Sequence, residues 1–399
     1  MEKGRRARNC LYMVLFLGTF LAGLSISNFV PSLLHMAEHL ETLPNYAQLT
    51  LPAFLFSFAC AQLFYGTASD RFGRRIPYIV GACFYMLGSL ICFYAESILP
   101  FIVGRFVQGA GIGCATVLAI AILHDIHDHK LTKTFAYLMI TAIIGFVAAP
   151  IVTLYVTDVV TWQFTYLILA MLGGLLAISA ILYLPETNLY FHETHIKRTF
   201  FLKNYIKLIA DRVFMGYLLT SCLLFCTPLI VFITMPILLA TAFQLSVVSF
   251  TWLCIINVGF YLFGIYFGNL LTNGLRKNSI ISLGMLIMIL SSAIGLLLGA
   301  LEMVNLEVIY LPTCFILLGS GLSLPCSLSA YTDKIKEYPG TAVSIQLFCL
   351  ALIASGVNIF NAILHEDDQI PLMGVFLIVS LLALVVFWLV VPKSQRQTS

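Results

Sequence analysis

One arginine lies inside a long apolar stretch, where a charged side chain needs a reason to be. Arg105 is followed one helical turn later by Gln108 and Gly109, with apolar residues on both sides of the segment. An arginine inside a membrane costs at least about 2.5–3.5 kcal/mol on insertion scales, so it should face a cavity or a partner. We expect Arg105 and Gln108 to share one cavity face and to contact a substrate. Because arginine does not release its proton in proteins, Arg105 cannot itself carry a proton by gaining and losing it.

A second charged pattern forms a short turn between two apolar stretches, Gly66-x-x-x-Asp70-Arg71-x-Gly73-Arg74-Arg75. Basic residues beside a membrane span follow from orientation rules alone. Those rules explain neither the acid nor the two glycines. Glycine permits close approach of helices and left-handed turns, so we expect Gly66 and Gly73 to shape this turn.

The elements that must position these residues are membrane spans. Of the 399 residues, 60% are hydrophobic and 10% are charged, which excludes a water-soluble or disordered protein. Continuous apolar runs of about 20 residues predict helices rather than an outer-membrane barrel. The twelve predicted spans are residues 11–34, 48–68, 76–95, 99–122, 134–156, 163–184, 213–240, 249–271, 279–300, 306–330, 340–364 and 370–391.

The distribution of basic residues predicts the orientation. Every Lys and Arg except Arg105 falls in the N-terminal segment, after an even-numbered span or in the C-terminal tail. Cytoplasmic loops carry this excess, so both termini are predicted to be cytoplasmic. The net charge of +3 therefore records orientation and does not indicate nucleic acid. A signal peptide is the alternative for span 1, but its apolar stretch is longer than such peptides have.

The chain divides into two halves. Residues 1–184 predict one six-helix bundle, 185–212 a cytoplasmic linker and 213–399 a second bundle. A weak internal repeat supports this division, because four residues after span 8 have the same spacing as Gly66, Asp70, Arg74 and Arg75. The four are Gly268, Thr272, Arg276 and Lys277. Internal duplication around a central site is typical of secondary transporters.

The turn after span 2 resembles the signature of the major facilitator superfamily, whose fold has twelve helices in two six-helix bundles. The resemblance implies a conformational latch in which Asp70 pairs with Arg74 and Asp125 and faces span 11 near Gly340. A carboxylate at a helix N-terminus gains about 0.3–1 kcal/mol, which makes such a latch physically reasonable. The segment from Arg105 to Gly109 also matches the span-4 signature, whose arginine is implicated in proton coupling.

Span 5 contains Gly145 and Pro150, which resemble a motif that bends this helix in exporters and packs it against span 8. An ordinary proline-kinked helix is the alternative. Further matches are similar to the Bcr/CflA branch of drug:proton antiporters, which are bacterial inner-membrane exporters. They comprise Ala47 to Leu51, Gln62 to Gly66, Leu184 to Thr187, Gly321 with Pro325, and Gly340 to Ala342.

The chain departs from that branch where a proton carrier is expected. Ser27 stands where members typically carry an Asp, and Ile120 replaces a second arginine. Of the 18 acidic residues only Glu307 falls inside a predicted span, at the external end of 306–330, so proton coupling rests on the resemblance. His35, Glu38 and His39 could titrate near the external end of span 1, although solvated surface residues are the alternative.

A cavity with one fixed positive charge and no acid should accept neutral or anionic amphiphiles rather than permanent cations. Several polar and aromatic residues could line it, although aromatic residues on helices more often pack. These candidates are Ser27, Asn28, Arg105, Gln108, Tyr137, Tyr217, Phe225, Asn257 and Tyr261.

We expect no cofactor and no metal. The cysteines lie mostly inside spans and read as packing residues, and the histidines at 124, 127 and 129 read as a solvated loop. The sequence predicts a monomeric exporter of a drug or an endogenous metabolite such as a siderophore, in contact with lipid and coupled to protons. The alternative is an uncoupled or uptake-type transporter. An enzyme is disfavoured, since the loops are too short for a catalytic domain.

Overall fold

The structure, a computed structural model, describes most of the chain. The described residues are 2–28, 32–126, 131–188, 206–241, 243, 247–272, 274–302, 305–332, 339–364 and 369–391. Twelve long helices lie within these ranges, and the prediction of an all-α polytopic protein is confirmed. They are grouped in two compact units, Met1–Ile196 and Lys197–Ser399. Much of the predicted linker lies outside the described residues, so its bounds stay a prediction.

The first unit contains six long helices and two short ones. The long helices are α1 (Glu2–Ser27), α2 (Thr50–Phe72), α3 (Arg75–Phe93), α4 (Ile98–Ile126), α5 (Leu131–Val159) and α6 (Gln163–Tyr183). Helix α1 packs against α5, α2 and α3 pack against α4, and α6 packs against α3. Two short helices, Leu33–His39 and Pro44–Gln48, lie between α1 and α2.

The second unit repeats this pairing. Its helices are α7 (Arg212–Thr241), α8 (Val247–Leu271), α9 (Lys277–Ala300), α10 (Leu306–Thr332), α11 (Pro339–Leu364) and α12 (Gln369–Val390). Helix α7 packs against α11, α8 and α9 pack against α10, and α12 packs against α9. Each pair lies six helices after its counterpart in the first unit, so the weak sequence repeat corresponds to a structural one.

Close helix contacts in both units depend on glycine at equivalent places. A methyl group at Gly88 in α3 would overlap the backbone nitrogen of Gln108 in α4. In the second unit, a methyl group at Gly319 in α10 would lie 2.5 Å from the carbonyl oxygen of Gly284 in α9. These contacts bring the α3 and α4 backbones together where the polar residues of α4 lie.

Ten of the described helices carry an apolar stretch long enough to cross a membrane. The other two long helices, α8 and α11, carry shorter described stretches, Ile255–Leu271 and Ile345–Phe360. Span 1 differs from its prediction. Helix α1 begins at Glu2 and ends at Ser27, and a separate helix begins at Leu33. Residues 29–31, between these two helices, lie outside the described residues.

Candidate functional site

The turn between α2 and α3 is built around Gly73, whose φ of 81° suits glycine and strains other residues. Arg74 follows, and its Nε donates to Asp125 Oδ2 at 3.1 Å from the end of α4. The Arg74 guanidinium also donates to the Ser69 hydroxyl in α2. The structure therefore joins Arg74 and Asp125, two members of the predicted latch. The side chain of Asp70 lies outside what the structure describes, and its role stays a prediction.

Glu186, which the sequence analysis quoted without giving it a role, holds this turn from the segment after α6. Its carboxylate accepts hydrogen bonds from the backbone N–H groups of Arg74 at 2.8 Å and Arg75 at 3.2 Å. These amides belong to the first turn of α3, where a negative charge is favourable. Thr187 donates its hydroxyl to Asp125 at 3.1 Å. We call Arg74, Asp125, Glu186 and Thr187 the Arg74 network.

Gly73 and Gly66 fit this network differently. A methyl group at Gly73 would overlap the Glu186 carboxylate, so the turn needs glycine for both backbone conformation and space. Gly66 lies within α2, and its carbonyl accepts the Ser69 hydroxyl at 2.9 Å. The α6 end is tied as well, since Arg75 Nη2 donates to the carbonyl of Ile181 at 2.7 Å. One network thus connects α2, α3, α4 and the end of α6.

Arg105 lies at the centre of the first unit and is 0% exposed. Its Nη2 donates to the carbonyl of Ser25 at 3.0 Å, and its guanidinium carbon lies 4.4 Å from the centroid of the Phe54 ring. Ser25 is in the last turn of α1, where carbonyl groups lack helical partners and a cation is favourable. Arg105 therefore caps the end of α1 from α4, and the partner that the sequence required is the α1 backbone.

Gln108 extends this contact to α3. Its Oε1 accepts a hydrogen bond from Arg105, and its Nε2 donates to the Ser89 hydroxyl at 2.8 Å. The hydroxyl groups of Ser25 and Tyr85 are 2.7 Å apart. Arg105 and Gln108 are thus in contact with each other, and their expected contact with a substrate stays a prediction. Ser25, Ser89 and Tyr85 carried no charge or motif by which the sequence could reveal them.

Two polar residues at the end of α1 have different surroundings. Ser27, at the position where the resembling branch carries an acid, donates its hydroxyl to the Phe146 carbonyl in α5 at 2.5 Å. This bond ties α1 to α5. Asn28 is 0% exposed, and its side chain interacts with that of Tyr166 in α6.

The predicted residues of span 5 lie along α5, which continues through Pro150. A methyl group at Gly145 would overlap the carbonyl of Phe20, so its close contact is with α1. The expected packing of this motif against span 8 stays a prediction. Tyr137 is 58% exposed.

Four candidates lie in the second unit. Tyr217 is buried and donates its hydroxyl to Asn278 in α9 at 2.7 Å, so this side chain joins two helices. The buried Asn257 accepts a hydrogen bond from the Cys314 thiol, with the sulfur and oxygen 3.4 Å apart. Phe225 and Tyr261 are half-buried. Tyr217 and Asn257 thus have hydrogen-bond partners within the second unit.

Other predictions fall on residues that the structure leaves out. The structure does not describe His127 and His129. It also leaves out the side chains of His124 and of the first turn of α11, where Gly340 lies. Within the described residues, no group of three or more His, Cys, Asp or Glu side chains could hold a metal ion.

Repeated helix pairing, apolar helices of membrane-spanning length and a buried arginine define a polytopic membrane transporter built from two related halves. Residues 15–357 match the family model of the Major Facilitator Superfamily, and the chain belongs to this superfamily. The chain is accordingly a transporter and not an enzyme. Members of the superfamily bind small-molecule substrates and act as single chains.

Two relatives match over nearly their whole length. Multidrug resistance protein D of Escherichia coli K12 is 25% identical, with 99% of this chain and 98% of the relative covered. The Bicyclomycin resistance protein homolog of Haemophilus influenzae is 22% identical, with 94% and 96% covered. These matches confirm the resemblance to the drug antiporter branch. The crystal structure of a D-xylose-proton symporter has the same fold, with a TM-score of 0.80, 15% identity and coverage of 98% and 99%.

Proposed function

We propose that this protein exports a small amphipathic compound, either a drug or an endogenous metabolite such as a siderophore, across the bacterial inner membrane. The observation that carries the proposal is the match to Multidrug resistance protein D over 99% of this chain. Transport proceeds by alternating access. The protein works as a monomer. Both termini lie in the cytoplasm, as the distribution of Lys and Arg indicates.

The charge inventory supports a substrate that is neutral or anionic. Arg105 is the sole basic residue in the predicted spans, and of the 18 acids only Glu307, the second residue of the span 306–330, falls inside one. A permanent cation would meet a positive potential with no carboxylate to offset it, whereas an anion or a neutral amphiphile would not. The contacts of Arg105 with Ser25 and Phe54 support a role in holding α1 in position. The positive charge of Arg105 would act on the substrate electrostatically.

We propose that the Arg74 network forms part of the latch that closes one face of the transporter. Its members hold the turn after α2 in place, which presents Asp70 to its expected partners. Closing one face changes the populations of the two access states and leaves the binding site itself intact. The network should therefore control transport rate more than ligand affinity.

Proton coupling is the part of the proposal for which the spans supply no obvious carrier. A titratable group outside the hydrocarbon, such as His39, must then serve, or transport is uncoupled. Purified protein in proteoliposomes tests this, with an imposed pH gradient as the variable. Flux that follows the gradient supports coupling. Flux that is equal with and without the gradient supports the alternative, an uncoupled or uptake-type transporter.

The substrate is best sought without a prior guess. Cells with and without the gene are compared for compounds in the medium and in the cytoplasm. Export predicts a compound that accumulates outside in the presence of the gene and inside in its absence. A transport-deficient Asp70→Asn strain with normal membrane levels serves as the control for indirect effects. A compound depleted from the medium by the gene would instead establish uptake.

A further inference from the structure

Tyr85 in α3 bonds to the same residue of α1 to which Arg105 bonds. The hydroxyl groups of Tyr85 and Ser25 are 2.7 Å apart. The carbonyl of Ser25 accepts from Arg105 Nη2 at 3.0 Å. The side chains of Tyr85 and Arg105 are both 0% exposed. They therefore reach the end of α1 from two different helices, α3 and α4, and meet at one residue.

The proton in the bond between Tyr85 and Ser25 can be assigned from the other partner of Ser25. The Ser25 hydroxyl also lies 2.7 Å from the carbonyl of Leu21, one turn earlier in α1. A serine hydroxyl has one proton and a carbonyl can only accept, so this proton is donated to Leu21. The Tyr85 hydroxyl is then the donor to Ser25. Tyr85 thus holds the Ser25 side chain from α3.

A second path connects Tyr85 to Arg105 through Ser89 and Gln108. The Ser89 hydroxyl donates to the Tyr85 carbonyl at 2.8 Å and interacts with the Tyr85 hydroxyl as well. Because its proton is used in this way, Ser89 accepts from Gln108 Nε2 at 2.8 Å. With Nε2 directed at Ser89, Gln108 presents its Oε1 to Arg105. Tyr85 therefore stands behind two acceptors of the guanidinium, the Ser25 carbonyl and Gln108 Oε1.

Tyr85 is itself held in place by two glycines on neighbouring helices. A methyl group at Gly111 in α4 would overlap the backbone nitrogen of Tyr85. A methyl group at Gly173 in α6 would lie 2.7 Å from the tyrosine ring. These close contacts enclose both the backbone and the ring. A residue that positions another must have its own side chain locked by packing, and Tyr85 meets this condition.

We propose that Tyr85 is a positioning residue for Arg105 and acts on it through Ser25 and Ser89. Without the tyrosine hydroxyl, the end of α1 loses its bond to α3, and the acceptors of the guanidinium are no longer fixed. The inference rests on the proposed export function only for its consequence in transport. The positioning itself can be measured on a protein that is not transporting.

Tyr78 provides a matched control in the same helix. It is also 0% exposed, and its hydroxyl also bonds to α1, where it donates to the Val14 carbonyl at 3.2 Å. Val14 and Ser25 are about 16 Å apart along α1, at a rise of about 1.5 Å per residue. Tyr78→Phe and Tyr85→Phe each remove one hydroxyl that joins α3 to α1. A general loss of packing between these helices should therefore affect both variants alike.

Chemical modification of Arg105 tests the proposal on the purified full-length protein in nanodiscs. Phenylglyoxal reacts with guanidinium groups that it can reach, and mass spectrometry of the peptide that contains Arg105 quantifies the product. The exposed Arg71 serves as the internal reference for reagent activity. We expect Tyr85→Phe to raise the modification rate of Arg105 several-fold and Tyr78→Phe to leave it near the wild-type rate. Equal rates in the two variants would overturn the proposal.

A double-mutant cycle gives a second measurement. Unfolding temperatures are compared for Tyr85→Phe, Arg105→Lys and the variant that carries both changes. Because both changes act on Ser25, we expect the combined loss to be clearly smaller than the sum of the separate losses. Tyr78→Phe combined with Arg105→Lys should give the plain sum. A plain sum for Tyr85→Phe as well would overturn the proposal. Neither measurement needs a transported compound, so a failure of the export proposal would leave both results unchanged.

Discussion

Replacing Arg105 by lysine separates the charge of this residue from its shape. The arginine donates to the Ser25 carbonyl and to Gln108 while its plane lies over the Phe54 ring. Lysine keeps the positive charge, but its ammonium group is a compact point charge without the planar fork. It can reach one of the two oxygens and cannot at the same time lie flat against the ring.

The expected loss can be worked from these contacts. A hydrogen bond to a charged group contributes about 1.5–3 kcal/mol, and a desolvated cation–π contact about 2 kcal/mol. Because neighbouring contributions are not additive and lysine recovers some of them, we expect a net loss of about 2–4 kcal/mol. At about 1.4 kcal/mol for each factor of ten, this weakens the anchoring of α1 by roughly thirtyfold or more.

The assay measures stability and flux on the same preparations. Thermal unfolding in detergent and transport in proteoliposomes are compared for the wild type, Arg105→Lys and Arg105→Ala. Arg71→Lys is the matched control, because Arg71 also lies over an aromatic ring, that of Phe72 at 5.3 Å, but on an exposed surface. We expect the control to behave as the wild type, Arg105→Lys to lose stability and flux, and Arg105→Ala to lose more of both.

Two results would refute this reasoning. If Arg105→Lys unfolds and transports as the wild type does, the planar contacts with α1 and Phe54 have no role. If it loses flux while its unfolding temperature is unchanged, the guanidinium acts directly on the transported compound and does not position α1.

The remaining predictions concern the turn after α2. Gly73→Ala should lower the free energy of unfolding by about 1–3 kcal/mol through backbone strain, and the overlap with Glu186 should increase this loss. The control is Gly274→Ala in the turn after α8, which should be neutral because no atom lies within 4 Å of the added methyl group. Equal unfolding temperatures for the two would contradict this. Glu186→Gln should lower the free energy of unfolding by about 1 kcal/mol, because a neutral oxygen binds the first amides of α3 less strongly. Replacement of the exposed Glu96 by Gln is the control, and an equal loss of stability in that control would refute this prediction. Asp70→Asn should reduce flux strongly while a binding titration shows nearly normal affinity, and a large loss of affinity would argue against the latch.

The fold was largely predictable because hydrophobicity and charge act over long, regular segments. Apolar runs of about 20 residues predicted the helices, whereas the orientation that the positions of Lys and Arg predict stays a prediction. The end of α1 was less predictable, since residues 28–34 carry no charge and continue the apolar stretch with Phe29, Val30, Leu33 and Leu34. Only Pro31 signalled a break there, and proline also occurs inside α5 and α10 without ending them.

The site was predictable where a residue was anomalous for its surroundings. Arg105 stood out as a charge in an apolar run, and Gln108 followed from its helical spacing. Ser25, Ser89 and Tyr85 were not predictable, because small hydroxyl residues are common in membrane helices and their partners depend on three-dimensional packing. Tyr217, predicted to line the cavity, donates its hydroxyl to Asn278, and a contact with substrate stays a prediction.

The partners of Arg105 and of the Arg74 network named above all come from the first 196 residues, within one compact unit. During synthesis these residues leave the ribosome before the second half exists, and domains generally fold as units with the N-terminal one first. The first half can therefore bury its arginine and lock its turn during insertion into the bilayer. The most costly charge in the chain is then already enclosed while the second half is still being translated.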